Sequence, residues 1–393
     1  MTFGILWTPL ETRHSSMNSG KPQAALGELG NSFSSDKDFQ NIDSSLSDLI
    51  EKFDGTNILI TGCAGFLGFN FLNYFHHLEL SKKVRFSKII AVDNFVRGEP
   101  KWLSQLNECY NALQVVNADI LSCEFETDFH YIIHAASIAS PIFYRQFPLE
   151  TIRVNSIGTD RLLNLTLQSN NFRSFLFFSS SEIYGDPDPA FIPTAETYNG
   201  NVSCNGPRAC YDESKRIGET ICASYYDKYS TPVKIVRPFN NYGPGLKLSD
   251  RRVIPDFFKS ILESNKILLL SDGTATRTFC YVSDAVTGYL LALLSSHNGE
   301  AFNIGTETPE ISMKELASKI VALTGCNAQV EFAVSHDKNY LKDNPNRRCP
   351  NIDKARLLLG YSPKISLEEG LFNTYKYYLS STDISSKESA LPL

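Results

Sequence analysis

"NILITGCAGFLGFNFLNYF", residues 57–75, is the stretch whose reading decides the fold. Ile58, Leu59 and Ile60 run as a short apolar strand into Gly62, with Gly65 and Gly68 following at three-residue spacing and a helix-like apolar run, "FNFLNYF", after them. Glycines at such a junction let the chain turn tightly and bring backbone amides close to a pyrophosphate, which then rests at the positive end of the helix. With 23 glycines in the chain this spacing also arises by accident. Its place directly after a strand gives it meaning.

Further strand-like runs follow at 88–94 ("KIIAVDN"), 131–137 ("YIIHAAS"), 174–182 ("SFLFFSSSE") and 233–240 ("VKIVRPFN"), with helical stretches between them. Near-continuous Ile, Leu, Val and Phe over such lengths suits strands covered on both faces, as parallel sheets require. The pattern predicts an α/β fold with a Rossmann-like doubly wound parallel sheet and a smaller C-terminal α/β substrate-binding region. The predicted boundaries are a disordered Ser-, Asn- and Gly-rich leader over 1–42, a dinucleotide-binding domain over 43–240, a substrate region over 241–380 that interleaves with it, and a flexible tail over 381–393. Leu46, Leu49, Ile50 and Phe53 recur at helical spacing, so a short amphipathic helix from Asp43 is expected to dock on the first domain. Helices are also expected at 252–264, 283–295, 311–324 and 367–380.

Composition narrows the function. Thirty-seven Lys and Arg against 43 Asp and Glu leave a net charge of −6, with no basic run to track a phosphate backbone, so no nucleic-acid partner is expected. The longest apolar runs fall far short of a bilayer span. The N-terminus lacks a basic stretch ahead of a long apolar core, which predicts no secretory signal and no membrane association. Nine scattered cysteines without a C-x-x-C pair support neither a disulfide framework nor a metal site, and free thiols suit a reducing cytoplasm. Cys210, beside Tyr211, is a candidate reactive thiol.

The second strand ends at Asp93, 25 residues past Gly68. A carboxylate there accepts hydrogen bonds from both ribose hydroxyls and repels a 2′-phosphate, which favours NAD over NADP. Arg97 is the counter-signal, since a guanidinium could hold that phosphate. Asp119 and Ile120, in "NADI", are placed to cover the adenine. Phe66, Leu67, Asn94 and Ala135 complete the expected cofactor contacts.

"GPRACYDESKRIGE", residues 206–219, sets Tyr211 and Lys215 four residues apart, on one face of a helix. An ammonium beside a phenol favours the phenolate; for a base acting near neutrality the tyrosine pKa must fall by about three units, about 4 kcal/mol. With 18 tyrosines, chance alone supplies about one Tyr-x-x-x-Lys. The pair acquires weight only from residues around it.

Those residues are "TGCAGFLG" (61–68), "HAAS" (134–137), "SSSEIYG" (179–185) and "YDESK" (211–215), in that order. From about residue 55 to 380 the chain resembles the extended short-chain dehydrogenase/reductases that act on nucleotide sugars. The resemblance implies that Tyr211 handles a sugar hydroxyl proton, that Lys215 binds the nicotinamide ribose and lowers the tyrosine pKa, and that Ser180 bonds the same hydroxyl. Within that family, Ser181 and Glu182 together with "GPRACYDE", "TRTFCYVSD" (276–284), "HAASIASP" (134–141) and "LLLGYSPKISLEEGL" (357–371) look most like the UDP-glucuronate decarboxylases, which make UDP-xylose. A 4-epimerase or 4,6-dehydratase acting on another nucleotide sugar is the alternative, and a non-catalytic nucleotide sensor a third reading. "NNYGPGL" (240–246) and "DRRVI" (250–254) depart from the decarboxylase pattern.

Chemistry gives Arg277 its own reason. Loss of a carboxylate from C5 while C4 is a ketone needs that carboxylate held, and a guanidinium can grip it with two parallel hydrogen bonds. Ser181 and Glu182 are expected to orient the carboxylated end of the sugar or to help deliver a proton to C5. The resemblance places Arg252 and Arg348 on the nucleotide diphosphate and makes Tyr144, Asn240 and Asn155 pocket residues. It also implies a homodimer through helices that include the Tyr211–Lys215 segment.

Overall fold

The computed structural model describes residues 36–125, 128–333 and 342–381. Its centre is a seven-stranded parallel sheet. In chain order the first six strands are β1 (Asn57–Thr61), β2 (Lys88–Asp93), β3 (Leu113–Asn117), β4 (Tyr131–His134), β5 (Ser174–Phe178) and β6 (Val233–Pro238); the seventh is Glu300–Ile304. Their spatial order is seventh, β6, β5, β4, β1, β2, β3. Strand order therefore reverses between β1 and β4, and such a switch point opens a crevice at the carboxyl ends of the strands.

Alternation along each strand divides the core. Ile58, Ile60, Leu176 and Phe178 face a layer formed by the helices Phe66–Leu80 and Val282–Leu294, whereas Leu59, Phe175 and Phe177 face Thr159–Thr166 and Ala209–Tyr229. Both faces are buried, which is why these strands read as unbroken apolar runs. A second core, including Ile254, Phe258, Leu269, Leu316 and Leu371, fills the C-terminal region.

Residues past 240 do not stay on one side. The helix Val282–Leu294 and the strand Glu300–Ile304 return to the central sheet, while the segments before and after them build the second core. The expected C-terminal helices are found at Val253–Ser264, Val282–Leu294, Met313–Thr324 and Leu367–Ser380.

The N-terminal boundary needs correcting. An α-helix covers Asp36–Leu46, so residues 36–42 do not belong to an unstructured leader, and the stretch predicted to be an amphipathic helix continues as a 3₁₀ helix, Ser47–Phe53. Ile42 and Leu46 are buried against the helix Val282–Leu294, and Asp38 accepts a hydrogen bond from Tyr281 at 3.0 Å. Asp43 accepts from Tyr74 at 2.8 Å and pairs with His77 and Lys83. Phe39, Ile42 and Leu46 carry helical spacing back to this start, but between them stand polar residues, Asp38 and Asp43, that are themselves anchors, so the apolar signal there is sparser than from Leu46 onward. The rest of the leader and the tail beyond 381 lie outside the described residues.

Candidate active site

A cleft of about 2730 Å³ opens at the switch point. Single ligand sites measure about 300–1,000 Å³. This one has room for a dinucleotide and a second nucleotide together.

Its floor is the glycine turn. Gly62 has φ +76°, and a Cβ there would lie 2.7 Å from Ala136 Cα; a Cβ on Gly68 would lie 2.2 Å from the Cys63 carbonyl oxygen. Only glycine fits either place, because Ala135 and Ala136, just past β4, and the turn itself press against the backbone. Gly65 caps the helix Phe66–Leu80, and Gly62, Gly65, Phe66 and Leu67 face the cleft. Gly68 stands behind them, setting the close approach of helix to turn.

Asp93 closes β2, its carboxylate accepting from the Ala64 amide at 3.0 Å and the Phe95 amide at 2.9 Å. Burial raises its pKa, opposed by those amides and by the Lys247 ammonium. Asn94, Asp119, Ile120 and Ala135 line the same end of the cleft. Arg97 turns away from a ribose-phosphate role: it donates to Asp250 at 3.1 Å and lies over the Phe143 ring, 4.3 Å from the centroid.

Tyr211 stands in the first turn of the helix Ala209–Tyr229, 6% exposed, with Ser180 arriving from the end of β5 to hydrogen-bond its hydroxyl. The Tyr144 ring stacks on it at 5.1 Å, nearly parallel. Lys215 Nζ lies 5.8 Å from the Tyr211 ring centre and donates to the Phe178 carbonyl at 2.7 Å. The helical spacing thus brings the pair together, but the electrostatics differ from the expectation. Burial pushes Tyr211 up to about 12 despite the Ser180 hydrogen bond, and pushes Lys215 down to about 7. Desolvation disfavours both charged forms, so the lysine's spacing alone does not yield a phenolate.

Ser180 also caps the short 3₁₀ helix Ser181–Tyr184, accepting from the Glu182 amide at 3.2 Å. That turn aims Glu182 into the cleft wall, where Arg348 grips it with two nitrogens at 2.7 and 2.5 Å and Arg208 adds a third contact. Burial alone would raise the Glu182 pKa, but the two guanidiniums outweigh it and hold the group ionised. Arg208 went unassigned in the sequence, although it stands three residues before Tyr211. It also faces Asp212 at 3.8 Å, whose carboxyl is pushed up by burial and by Glu182.

Arg277 lies on the strand Thr276–Arg277, which pairs with Arg347–Arg348 and so sets Arg277 beside Arg348. Its guanidinium donates only to backbone carbonyls, those of Thr276, Pro345 and Asn346. Among the described residues no carboxylate pairs with it; burial and the neighbouring Arg348 push its pKa down to about 9.

Two other expectations, for Arg348 and Asn155, are redrawn. Arg348 sits at Glu182, so its guanidinium is committed there and not to a diphosphate. Arg252 and Asn240 line the cleft, Arg252 paired with Asp250 at 2.9 Å and Asn240 donating to the Thr278 carbonyl. Asn155 does not reach it; fully buried in a π turn, it donates to Ser214 at 2.9 Å, behind the Tyr211–Lys215 helix. Ser137, Ser179 and Tyr144 line the cleft with buried hydroxyl oxygens that have no hydrogen-bond partner among the described residues. Such atoms fit a ligand that brings its own hydrogen-bonding groups.

Comparison with known proteins shows the family. Residues 58–305 match the model of the NAD dependent epimerase/dehydratase family. A UDP-glucuronic acid decarboxylase 1 of Xenopus tropicalis is 35% identical over 86% of this chain and 76% of its own length. A UDP-glucuronic acid decarboxylase 6 of Arabidopsis thaliana is 35% identical over 80% of this chain and 86% of its own. Among solved structures, an epimerase of Methanothermobacter thermautotrophicus superposes with a TM-score of 0.73 at 28% identity, covering 86% of this chain and 96% of that one. A UDP-glucuronic acid 4-epimerase of Bacillus cereus, in complex with UDP-glucuronic acid and NAD, gives 0.69 at 26%, covering 82% and 98%. The chain belongs to the NAD dependent epimerase/dehydratase family of extended short-chain dehydrogenases/reductases.

Proposed function

We propose that the chain converts UDP-glucuronate to UDP-xylose and carbon dioxide, with NAD as a retained cofactor. The observation that carries this reading is Arg277: a buried guanidinium that, among the described residues, has no carboxylate partner, on the wall of the cleft that also receives Tyr211. A uronate supplies the missing anion. The curated relatives named above as UDP-glucuronic acid decarboxylases support the same substrate.

The glycine turn and Asp93 would hold NAD, which would supply a hydride acceptor, then a donor, for sugar C4. Tyr211 takes the C4 hydroxyl proton, guided by Ser180. With a ketone at C4, the bond from C5 to the carboxyl carbon breaks, carbon dioxide leaves, and C5 takes up a proton. Tyr211 then returns its proton to the C4 oxygen as C4 is reduced. The balance is one UDP-glucuronate and one solvent proton in, one UDP-xylose and one carbon dioxide out. Glu182, kept ionised by Arg208 and Arg348, is not the acid that protonates C5 near neutrality; it gathers two cations beside the carboxylated end. Ser181, buried next to it, belongs to the same turn, which Ser180 caps.

Tyr144 would close the sugar pocket by its stack on Tyr211, with Asn240 and Arg252 lining the nucleotide side. We assign the chain to a homodimer: Leu149, Ile152, Ile157 and Ile217 are exposed apolar residues on packed helices of the Tyr211 face. Light scattering tests this. Nine unpaired thiols suit a cytoplasmic setting, and UDP-xylose would serve polysaccharide synthesis. Among the described residues no helix is long and apolar enough to cross a membrane. Incubating the purified protein with UDP-glucuronate and identifying the products tests the activity: UDP-xylose supports it, UDP-galacturonate would make the chain a 4-epimerase, and no product removes the assignment.

A further inference from the structure

A reaction that oxidises and then re-reduces the same carbon must keep its dinucleotide bound throughout the cycle, and the segment 244–252 runs along the cleft that would hold it. One end is fastened to the helix that follows the glycine turn. Asn70 donates to the Pro244 carbonyl at 3.1 Å, and Gly245, at φ +89°, lies so close to Phe69 that a Cβ would stand 2.3 Å from its ring. Leu246 is then pinned from the C-terminal helix, its carbonyl accepting from Tyr378 at 2.8 Å. Lys247 passes near enough to Asp93 to offset part of the cost of burying that carboxylate.

The other end is fastened to the loop after β2. Asp250, 5% exposed, accepts from Arg97 at 3.1 Å through one oxygen and pairs with Arg252 at 2.9 Å through the other, while Ser140 donates to its carbonyl at 2.9 Å. Glycine turn, ribose carboxylate and strap thus adjoin one another along a single path, from Asn70 past Asp93 to Arg97. The two arginines and one carboxylate leave one positive charge in excess on the cleft wall.

We propose that residues 244–252 form a strap that retains the dinucleotide, latched by the Arg97–Asp250 ion pair. The proposal rests on the cofactor reading given above. Opening the latch frees the loop after β2 from the strap, and the pyrophosphate loses its cover. The latch lies partly in solvent, with Arg97 35% exposed, so its contribution is modest compared with a fully buried pair.

The test is the release rate of NADH from the full-length protein, followed by fluorescence after mixing with excess NAD. Arg97→Ala and Asp250→Asn are expected to speed release by about five- to tenfold, the size of a partly buried, charge-assisted contact. Arg97→Lys, which keeps the charge, is expected to recover most of the slow release. The double variant is expected to match the single ones, since both remove the same latch. If Asp250→Asn fails to fold, Arg97→Ala, a change at a partly exposed side chain, carries the test. Release at the wild-type rate in Arg97→Ala overturns the proposal, as does a double variant whose effect is the product of the singles. No sugar nucleotide is present, so an error about the substrate would show only in the turnover assay.

Discussion

Glu182 and Arg348, 166 residues apart in the chain, meet through two parallel hydrogen bonds of 2.7 and 2.5 Å. With Arg208 on the same carboxylate, the pair sets two cations and one anion into the wall of the cleft beside Tyr211.

Removing the anion strands both cations. Glu182→Gln is expected to destabilise the protein by about 3 kcal/mol, the low end for a broken buried pair because the side chain keeps 16% exposure. Chemical denaturation of the two proteins measures it. A loss below about 1 kcal/mol would mean that the arginines are solvated and the network is weak.

Tyr211→Phe keeps the ring that stacks on Tyr144 and removes the proton carrier. Turnover is expected to fall by about 10²–10⁴-fold while NADH still binds. Rate measurements paired with fluorescence titration separate the two. Retained turnover would assign the proton transfer to another group.

The pH profile should report the phenol. Burial raises the Tyr211 pKa and the Ser180 hydrogen bond lowers it, so the rate is expected to rise with pH on the limb that reports this group. The Ser180 hydrogen bond lowers that pKa, so Ser180→Ala should move the rising limb to still higher pH. A limb displaced to lower pH would contradict the role given to Ser180.

Arg277→Ala should discriminate between substrates. A charge-assisted hydrogen bond contributes about 1.5–3 kcal/mol, so kcat/KM for UDP-glucuronate is expected to fall at least about tenfold, while binding of UDP-glucose, whose sugar carries no carboxylate, is little changed. Equal losses with both would remove the carboxylate from Arg277.

Acid should loosen the N-terminal helix. Burial raises the Asp43 pKa, but hydrogen bonds from His77, Lys83 and Tyr74 overcome this and bring it down to about 2, below its ordinary 3.8. A carboxyl with a depressed folded-state pKa stabilises above the unfolded value and loses that contribution as pH falls through the folded one. Asp43→Asn is therefore expected to lower Tm at pH 6 and to shrink the difference between pH 4 and pH 2. A variant with the wild-type pH dependence would place the acid sensitivity elsewhere.

Much of this was legible in the chain itself. Strands buried on both faces read as apolar runs, the glycines as a turn that a side chain would block, and Tyr211 with Lys215 as one face of a helix. Short or edge strands were harder. The edge strand β3, "LQVVN", has only Leu113 buried, and Glu300–Ile304 opens on an exposed Glu, so neither stands out as a run. The pairing of Arg348 with Glu182 was invisible because it depends on two-residue strands bringing remote segments together. Helical spacing located the Tyr211–Lys215 pair but said nothing of its burial, and burial decides the charge of both groups.

The most direct measurement uses UDP-glucuronate carrying ¹³C in its carboxyl group, followed by NMR with the purified protein and catalytic NAD. The account predicts that the label leaves as carbon dioxide and bicarbonate, in step with UDP-xylose, without build-up of NADH. A label that stays on the sugar, whether on unreacted UDP-glucuronate or on its C4 epimer, would contradict it.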